Sequence, residues 1–356
     1  MPALTRVRRE RALASKQYRD GRFHNTSGRG PRLEGDHLPI VREYLLGGPR
    51  APRAPLPVES PLGEWQRPVS AAGLRITWLG HSTLLLESGG VRVLTDPVFG
   101  ERASPVSFAG ARRFHPVPAT LAQLPPLDAV LLSHDHYDHL CAETMRQLAK
   151  LRVPIVTSLG VGARLEGFGV DPAVITELDW WETHTMPGGS LAFTATPAQH
   201  FSGRGLTDRN ETLWSSWVIQ TSRHRLFFSG DTGLTEEFRE IGARLGPFDV
   251  SMLEVGAWHP SWGHIHLGPA NALRALEMLG GGTLLPVHWS TFDLALHAWD
   301  EPAETLLSLA GATGARVLTP RLGRPFDPSE VEGPTPWWRA VGSTHPVERL
   351  RASPTR

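Results

Sequence analysis

The sequence contains very little cysteine and no long apolar run. Cys141 is the only cysteine, so an internal disulfide bond is excluded. No unbroken apolar stretch reaches the roughly 18 residues that a membrane-spanning helix needs. The arginine-rich start also leads into no apolar run of the kind found in secretory signal peptides. We therefore expect a cytoplasmic protein without a transmembrane segment.

The chain has no excess charge of either sign, but its charges are unevenly distributed. Lys and Arg total 36, as do Asp and Glu. Residues 1–32 nevertheless hold eight arginines and one lysine against Glu10 and Asp20, an excess of seven positive charges. This basic arm allows peripheral contact with an anionic membrane surface, but the interpretation that we favour is a solvated segment partly packed on the domain. We expect no nucleic-acid partner, because aromatic residues that could stack on bases are not interleaved with these arginines.

Length and periodicity predict one α/β unit between two terminal segments. With 356 residues, 40% of them hydrophobic, the chain can bury a sizeable core. Short apolar strands alternate with helical patterns through the middle of the chain, which favours a layered α/β architecture. The flanks are rich in Pro and charged residues and show little periodicity. We divide the chain into an arm (residues 1–70), a domain (71–325) and a tail (326–356).

A cluster of potential metal ligands follows one short apolar strand. Ala129 to Leu132 predicts a buried strand, and the next residues include His134, His136, Asp138 and His139. Imidazole and carboxylate groups are ligands that Zn²⁺ accepts well. In a tight loop, the first two histidines can point to one side and the last two ligands to another. The spacing therefore favours two adjacent metal ions over one, and two metals indicate hydrolysis.

Three more candidate ligands occupy the same kind of position. His200 follows the strand predicted at Leu191 to Thr196, and Asp231 follows the one at Arg225 to Phe228. His288 directly follows a strand predicted at Thr283 to Val287. A metal site assembled from loops at one edge of a sheet explains why these residues recur beyond strand ends.

Other residues are expected to surround this site. Leu74 to Glu87 predicts one strand, paired through the Ser88-Gly89-Gly90 turn with a second strand that ends at Asp96. We expect Asp96 to orient a metal-bound histidine by a hydrogen bond, and His81 to face the site as a substrate-binding residue. Trp258, Trp262 and Trp289 are expected to line an apolar substrate cleft.

The residues from 72 to 325 resemble the metallo-β-lactamase superfamily. The resemblance rests on His134-Asp-His136-Tyr-Asp138-His139, followed in order by His200, Asp231 and His288. Four further segments resemble the N-acyl-phosphatidylethanolamine-hydrolysing phospholipase D group and its bacterial relatives. They are Trp78-Leu-Gly-His-Ser-Thr83, Leu94-Thr-Asp-Pro97, Phe228-Ser-Gly-Asp-Thr-Gly233 and Val287-His-Trp-Ser-Thr-Phe292.

This resemblance implies an αββα sandwich of two mixed sheets flanked by helices, with two Zn²⁺ ions per chain. It implies that His134, His136 and His200 hold the first zinc, that Asp138, His139 and His288 hold the second, and that Asp231 bridges them. His266 resembles a histidine that lines the active site in relatives. The implied reaction is phosphodiester hydrolysis by a metal-bridging hydroxide, with Asp138 accepting a proton and His266 assisting the leaving oxygen.

Other functions remain open at this stage. A lactonase or another carboxylic-ester hydrolase would use the same site with an oxyanion donor such as Tyr137 or a histidine. A nuclease is supported only by the basic arm. A metal-binding sensor without turnover would be favoured if a ligand were missing. A redox di-iron protein is less expected, because a histidine-rich site suits zinc at least as well as iron and the subgroup segments resemble hydrolases.

Overall fold

The described residues of the computed structural model are 6–30, 50–69, 73–259, 262 and 264–342. In chain order, the strands are β1 Tyr18–Arg19, β2 Arg22–Phe23, β3 Leu74–Gly80, β4 Thr83–Ser88, β5 Val91–Thr95, β6 Arg102–Ala103, β7 Ala111–Arg112, β8 Ala129–Leu131, β9 Ile155–Ser158, β10 Ile175–Leu178, β11 Thr183–Thr185, β12 Leu191–Thr196, β13 Ser216–Thr221, β14 Arg225–Phe228, β15 Val250–Glu254, β16 Thr283–Val287, β17 Arg316–Val317 and β18 Pro325–Phe326. The helices are α1 Arg6–Ala14, α2 Leu62–Trp65, α3 Ala142–Leu148, α4 Val161–Gly167, α5 Glu237–Leu245, α6 Gly268–Met278 and α7 Glu301–Thr313.

Two seven-stranded mixed sheets form the body. The first has the strand order β10-β9-β8-β5-β4-β3-β18, and the second has β11-β12-β13-β14-β15-β16-β17. In the first sheet β3, β4 and β5 pair antiparallel, whereas β5, β8, β9 and β10 pair parallel. In the second sheet the pairs from β11 to β14 are antiparallel and those from β14 to β17 are parallel. This is the predicted α/β sandwich of two mixed sheets.

The alternation of side chains along each strand divides the apolar residues between two layers. In β4, Leu84 and Leu86 belong to the large core cluster that also contains Phe193 and Phe227 of the second sheet. Leu85 points to the opposite face and belongs to a second cluster, which includes α3 and α4. The first sheet is therefore apolar on both faces, which is why its strands are nearly continuous apolar runs.

Parallel pairing brings several strand ends to one edge of the sandwich. Because β14, β15 and β16 run parallel and in register, Asp231, Glu254 and His288 lie at or just beyond neighbouring carboxyl ends. In the first sheet, β5 and β8 run parallel, so Asp96 lies beside Ser133. The edge therefore gathers polar residues that are far apart in sequence.

The predicted single strand from Leu74 to Glu87 is wrong: the structure breaks it at His81 and Ser82 into β3 and β4. The pairing shifts between Trp78 and Gly80, where Gly80 has φ +110° and His81 has φ +53°. A Cβ atom at residue 80 would lie 2.6 Å from the His115 ring, so only glycine fits. Continuous apolar residues on both sides concealed this turn, which places His81 at the edge of the sheet.

The described parts of both terminal segments pack on the sandwich. Residues 6–30 contain α1 and the β1–β2 pair, so the expected lack of regular structure does not hold there. In the predicted tail, Trp337 and Trp338 are buried and pack against Trp289. Residues 31–49 of the predicted arm and 343–356 of the predicted tail lie outside the described residues. The division into domains stays a prediction.

Candidate metal centre

Three histidines converge on one side of Asp231. His134 and His136 come from the loop after β8, and His200 comes from the loop after β12. His136 Nδ1 lies 2.8 Å from His134 Nε2 and 3.2 Å from His200 Nε2. The Asp231 Oδ2 atom lies 3.9 Å from His134 Nε2 and 3.7 Å from His200 Nε2. These four side chains can hold one metal ion.

A second group lies on the other side of the same carboxylate. Asp138 Oδ2 lies 3.5 Å from His139 Nε2 and 3.2 Å from His288 Nε2. The two oxygens of Asp231 lie 3.2 Å from these same two nitrogens, one oxygen to each. Asp231 therefore contacts both groups, and the structure brings together all seven ligands predicted from the sequence.

The donor geometry of the second group fits a divalent cation. A tetrahedral zinc ion with bonds of about 2.0–2.1 Å separates its ligand atoms by about 3.3 Å. The donor separations in the second group, 3.2 to 3.5 Å, match this spacing. His139 Nε2 and Asp231 Oδ1 are buried and form no hydrogen bond with any described residue. Buried polar atoms aimed at one another without hydrogen bonds are expected where a cation is held.

Hydrogen bonds on the far ring nitrogens orient these imidazoles. His139 Nδ1 lies 2.7 Å from Asp96 Oδ2, and His200 Nδ1 lies 2.9 Å from the carbonyl oxygen of Ile265. Each ring therefore donates from Nδ1 and leaves the lone pair of Nε2 directed into the site. The role expected for Asp96, orienting a histidine of the cluster, agrees with this geometry.

Burial and the carboxylates act on the histidine pKa values in opposite directions. Burial lowers the pKa of His134 and of His200 well below the usual histidine value, which keeps both rings neutral. Burial also opposes charge on the other rings. Even so, Asp231 and the neighbouring carboxylates hold the pKa of His139 well above its usual value. They raise that of His288 to about 10. The second group therefore lies in the more negative electrostatic environment.

His266 lies beside the cluster and is held by a residue that the sequence analysis missed. Its Nδ1 lies 2.7 Å from Glu254 Oε2, and its ring lies 5.0 Å from the ring of His200. Glu254 is fully buried, and its other oxygen accepts backbone N–H bonds from Thr232 and Leu267. Glu254 lies at the end of a strand, close to where Asp96 and Asp231 lie relative to theirs. Its position could therefore have identified it from the sequence.

The predicted substrate-binding residues occupy different environments. Trp262 lines a cleft of about 810 Å³ with Phe114, Leu294 and several arginines. Trp258 is half-buried and stacks on His297. His81 is buried, with Nε2 3.0 Å from Asp138 Oδ2.

The expectation for Trp289 does not hold. Its side chain is only 3% exposed and stacks on Trp78 within the core, so it lines no cleft. Because the His288 side chain faces the metal centre, the side chain of the next residue, Trp289, points into the core.

Comparison with known proteins agrees with the fold and the site. An uncharacterized protein of Mycobacterium tuberculosis is 44% identical over 335 residues, covering 91% of this chain and 88% of its own length. The N-acyl-phosphatidylethanolamine-hydrolyzing phospholipase D 1 of Caenorhabditis elegans is 38% identical over 255 residues, covering 68% of this chain and 71% of its own. The crystal structure of an isothiocyanate hydrolase from Delia radicum gut bacteria aligns with a TM-score of 0.58 at 23% identity. It covers 71% of this chain and 98% of that protein.

Together the sandwich, the clustered donors and these relatives define a metal-dependent hydrolase. The chain belongs to the β-lactamase superfamily, whose domain model matches residues 91–289. The predicted fold and the predicted family are thereby confirmed. Among the described residues, no helix is both long and apolar enough to cross a membrane.

Proposed function

We propose that the protein is a binuclear zinc phosphodiesterase that acts on a lipid phosphodiester. The observation that carries the proposal is the convergence of seven donors into two groups that share Asp231. The phosphodiester class is supported by the 38% identity to the Caenorhabditis elegans phospholipase D. His134, His136 and His200 would hold one zinc, Asp138, His139 and His288 the other, and Asp231 both.

The bound metals would supply an activated water molecule and positive charge opposite the phosphate oxygens. Asp138 is the partly exposed carboxylate of the centre, at 14% against 2% for Asp231. We assign to Asp138 the acceptance of the proton of the attacking water. Since His81 Nε2 lies 3.0 Å from Asp138 Oδ2, that ring fixes the orientation of the carboxylate.

His266 is proposed to protonate or hydrogen-bond the leaving oxygen. Its ring is 11% exposed and lies 5.5 Å from the ring of His288. Burial opposes its positive charge, but Glu254 and Asp231 raise the pKa of His266, which favours the protonated form that a general acid needs. Glu254 also orients the ring through Nδ1 and leaves Nε2 for the substrate.

The cleft that contains Trp262 is proposed to receive the apolar part of the substrate. Phe292 separates this cleft from the centre: its ring packs 5.3 Å from His81, and the Arg113 guanidinium lies 5.2 Å from its centroid. Arg113 and Arg112 line the same cleft, where Arg112 pairs with Glu101 at 2.5 Å and Arg113 donates to the carbonyl oxygens of Val98 and Gly100. Trp258 is proposed to contact substrate from the neighbouring loop.

We also propose a cytoplasmic location with peripheral contact between the basic arm and anionic lipid. Tyr137 is not available as the oxyanion donor of the competing lactonase, because its hydroxyl donates to the Arg204 carbonyl oxygen 2.5 Å away. Its hydrogen is thus already engaged and does not point at a reacting carbonyl.

The test combines metal analysis with a substrate panel of bis-p-nitrophenyl phosphate, N-acyl-phosphatidylethanolamine vesicles and lactones. We expect about two zinc ions per chain and phosphodiester turnover that a chelator abolishes. Asp231→Asn and His200→Ala should lose zinc and at least about 100-fold in activity. His184→Ala, on edge strand β11 away from the cluster, is the matched control and should keep both.

Two results would contradict the proposal. Zinc-loaded protein that cleaves lactones but no phosphodiester would favour the ester hydrolase. Protein without metal, or ligand variants as active as His184→Ala, would refute a metal-dependent reaction at this site.

A further inference from the structure

We propose that residues 6–30 form part of the metal centre, with Asn25 as the positioning residue for His200. The inference rests on the proposed metal centre, in which His200 is a ligand. The family model begins only at residue 91, so these residues lie outside the part of the chain that defines the superfamily.

The Asn25 side chain binds both peptide groups of His200. Its Oδ1 accepts from the His200 backbone N–H at 3.0 Å, and its Nδ2 donates to the His200 carbonyl oxygen at 2.9 Å. Oδ1 also accepts from Trp214 Nε1 at 3.0 Å. Asn25 is only 6% exposed, so each lost bond would leave a buried polar group without its partner.

His200 depends on this contact because it lies in irregular backbone. Strand β12 ends at Thr196, four residues before the histidine, so no sheet ladder holds its peptide groups. Next to it, Gln199 is held by Thr232 and by Ser27, whose hydroxyl donates to Gln199 Oε1 at 2.6 Å. Two successive residues of the ligand loop therefore contact the N-terminal segment.

The segment is itself fixed firmly enough to hold a ligand. At its start, the Arg8 guanidinium pairs with Glu166 at 2.7 Å and with Glu177. Near Asn25, the Phe23 ring is fully buried and packs in one cluster with Ala198 and Trp214. The Phe23 backbone N–H also donates to the Asn210 carbonyl oxygen at 2.8 Å. One anchor lies in α1 and the other in β2, two residues before Asn25, so the position of Asn25 is determined by the body.

The test measures the two stepwise zinc affinities of metal-free full-length protein by competition with a chromophoric chelator. His200→Ala identifies the step that depends on His200. We expect Asn25→Ala to weaken that step by about 10- to 100-fold, as loss of a group that orients a ligand commonly does. The other step should change by less than about threefold. Asn25→Ser is the milder variant if the alanine variant fails to fold.

Asn210→Ala is the matched control, because Asn210 bonds to the same segment but not to His200. Its side chain donates to the Phe23 carbonyl oxygen and accepts from the Ser202 N–H. It should lower the unfolding temperature and keep both zinc affinities. If Asn25→Ala keeps its affinities, or if both variants lose them equally, Asn25 does not position His200, although the proposed function stands. Wild-type protein that binds no zinc would overturn the proposed function as well.

Discussion

Replacing Asp96 by Asn should weaken both halves of the metal centre. Asp96 is completely buried and accepts three hydrogen bonds: Ser133 N–H at 2.7 Å, Ser133 Oγ at 2.6 Å and His139 Nδ1 at 2.7 Å. Ser133 Oγ lies in turn 2.9 Å from His134 Nδ1. Because the hydroxyl gives its hydrogen to Asp96, it accepts from His134. One carboxylate thus orients a histidine of each group.

The size of the effect follows from counting acceptors. The Ser133 N–H is received by Oδ1 and the other two donors by Oδ2. An amide has a single acceptor oxygen, so at least one donor would face an NH₂ group. A hydrogen bond to a charged partner contributes about 1.5–3 kcal/mol. At 1.4 kcal/mol per factor of ten, this corresponds to a loss of about 10- to 100-fold in zinc affinity.

Chelator competition on metal-free protein measures this loss directly. Asp128→Asn is the control, since Asp128 also accepts a backbone N–H, from Arg92 at 2.7 Å, but on the exposed surface. We expect both zinc steps to weaken in Asp96→Asn and neither in Asp128→Asn. If Asp96→Asn binds both ions as the wild type does, the histidines are not oriented through Nδ1 as inferred here.

Two further predictions concern stability. Trp338→Ala should lower the free energy of unfolding by about 3–5 kcal/mol, because the ring is fully buried and its Nε1 donates to Glu304 at 2.7 Å. Urea titration measures this free energy. A loss below about 1 kcal/mol would contradict the packing. Burial and Arg113 lower the pKa of His115 to about 3. Below pH 6.5 the unfolded chain therefore binds a proton at His115 that the folded chain does not bind. The free energy of unfolding falls as the pH is lowered from about 6.5 to about 3. Compared with His115→Asn, the wild type should lose up to about 1.4 kcal/mol more per pH unit between pH 6 and 4; equal pH slopes of unfolding would refute a neutral buried His115.

The convergence of the seven ligands was predictable because each one carries a local signal. Each of the seven is a His or an Asp, and a loop that follows a short apolar run lies at a sheet edge. His134, His200 and His288 satisfy both conditions without any knowledge of the partner strands. Strand ends in a parallel array meet at one edge, so the pattern also implied that these residues meet. Asp96 was found by the same argument.

Residues whose position depends on long-range packing were not predictable in this way. The turn at His81 interrupts a run that is apolar on both sides, so periodicity could not reveal it. Tryptophan is a residue type that often contacts substrates, but the direction of the Trp289 side chain is set by its packing against Trp78 and Trp337. Asn25 is 175 positions from His200, and a single asparagine in an arginine-rich segment has no sequence signature as a positioning residue.

The described part of the basic arm directs some of its positive charge at the body of the protein. Its excess of seven positive charges suggested an outward role towards anionic surfaces. In the structure Arg8 pairs with Glu166 and Glu177, and Arg11 pairs with Glu182, so part of this charge is directed at the body. Each basic residue near an anionic membrane contributes about 1 kcal/mol only while its charge is unpaired. Membrane binding through the arm should therefore be weaker, and less sensitive to salt, than seven charges imply.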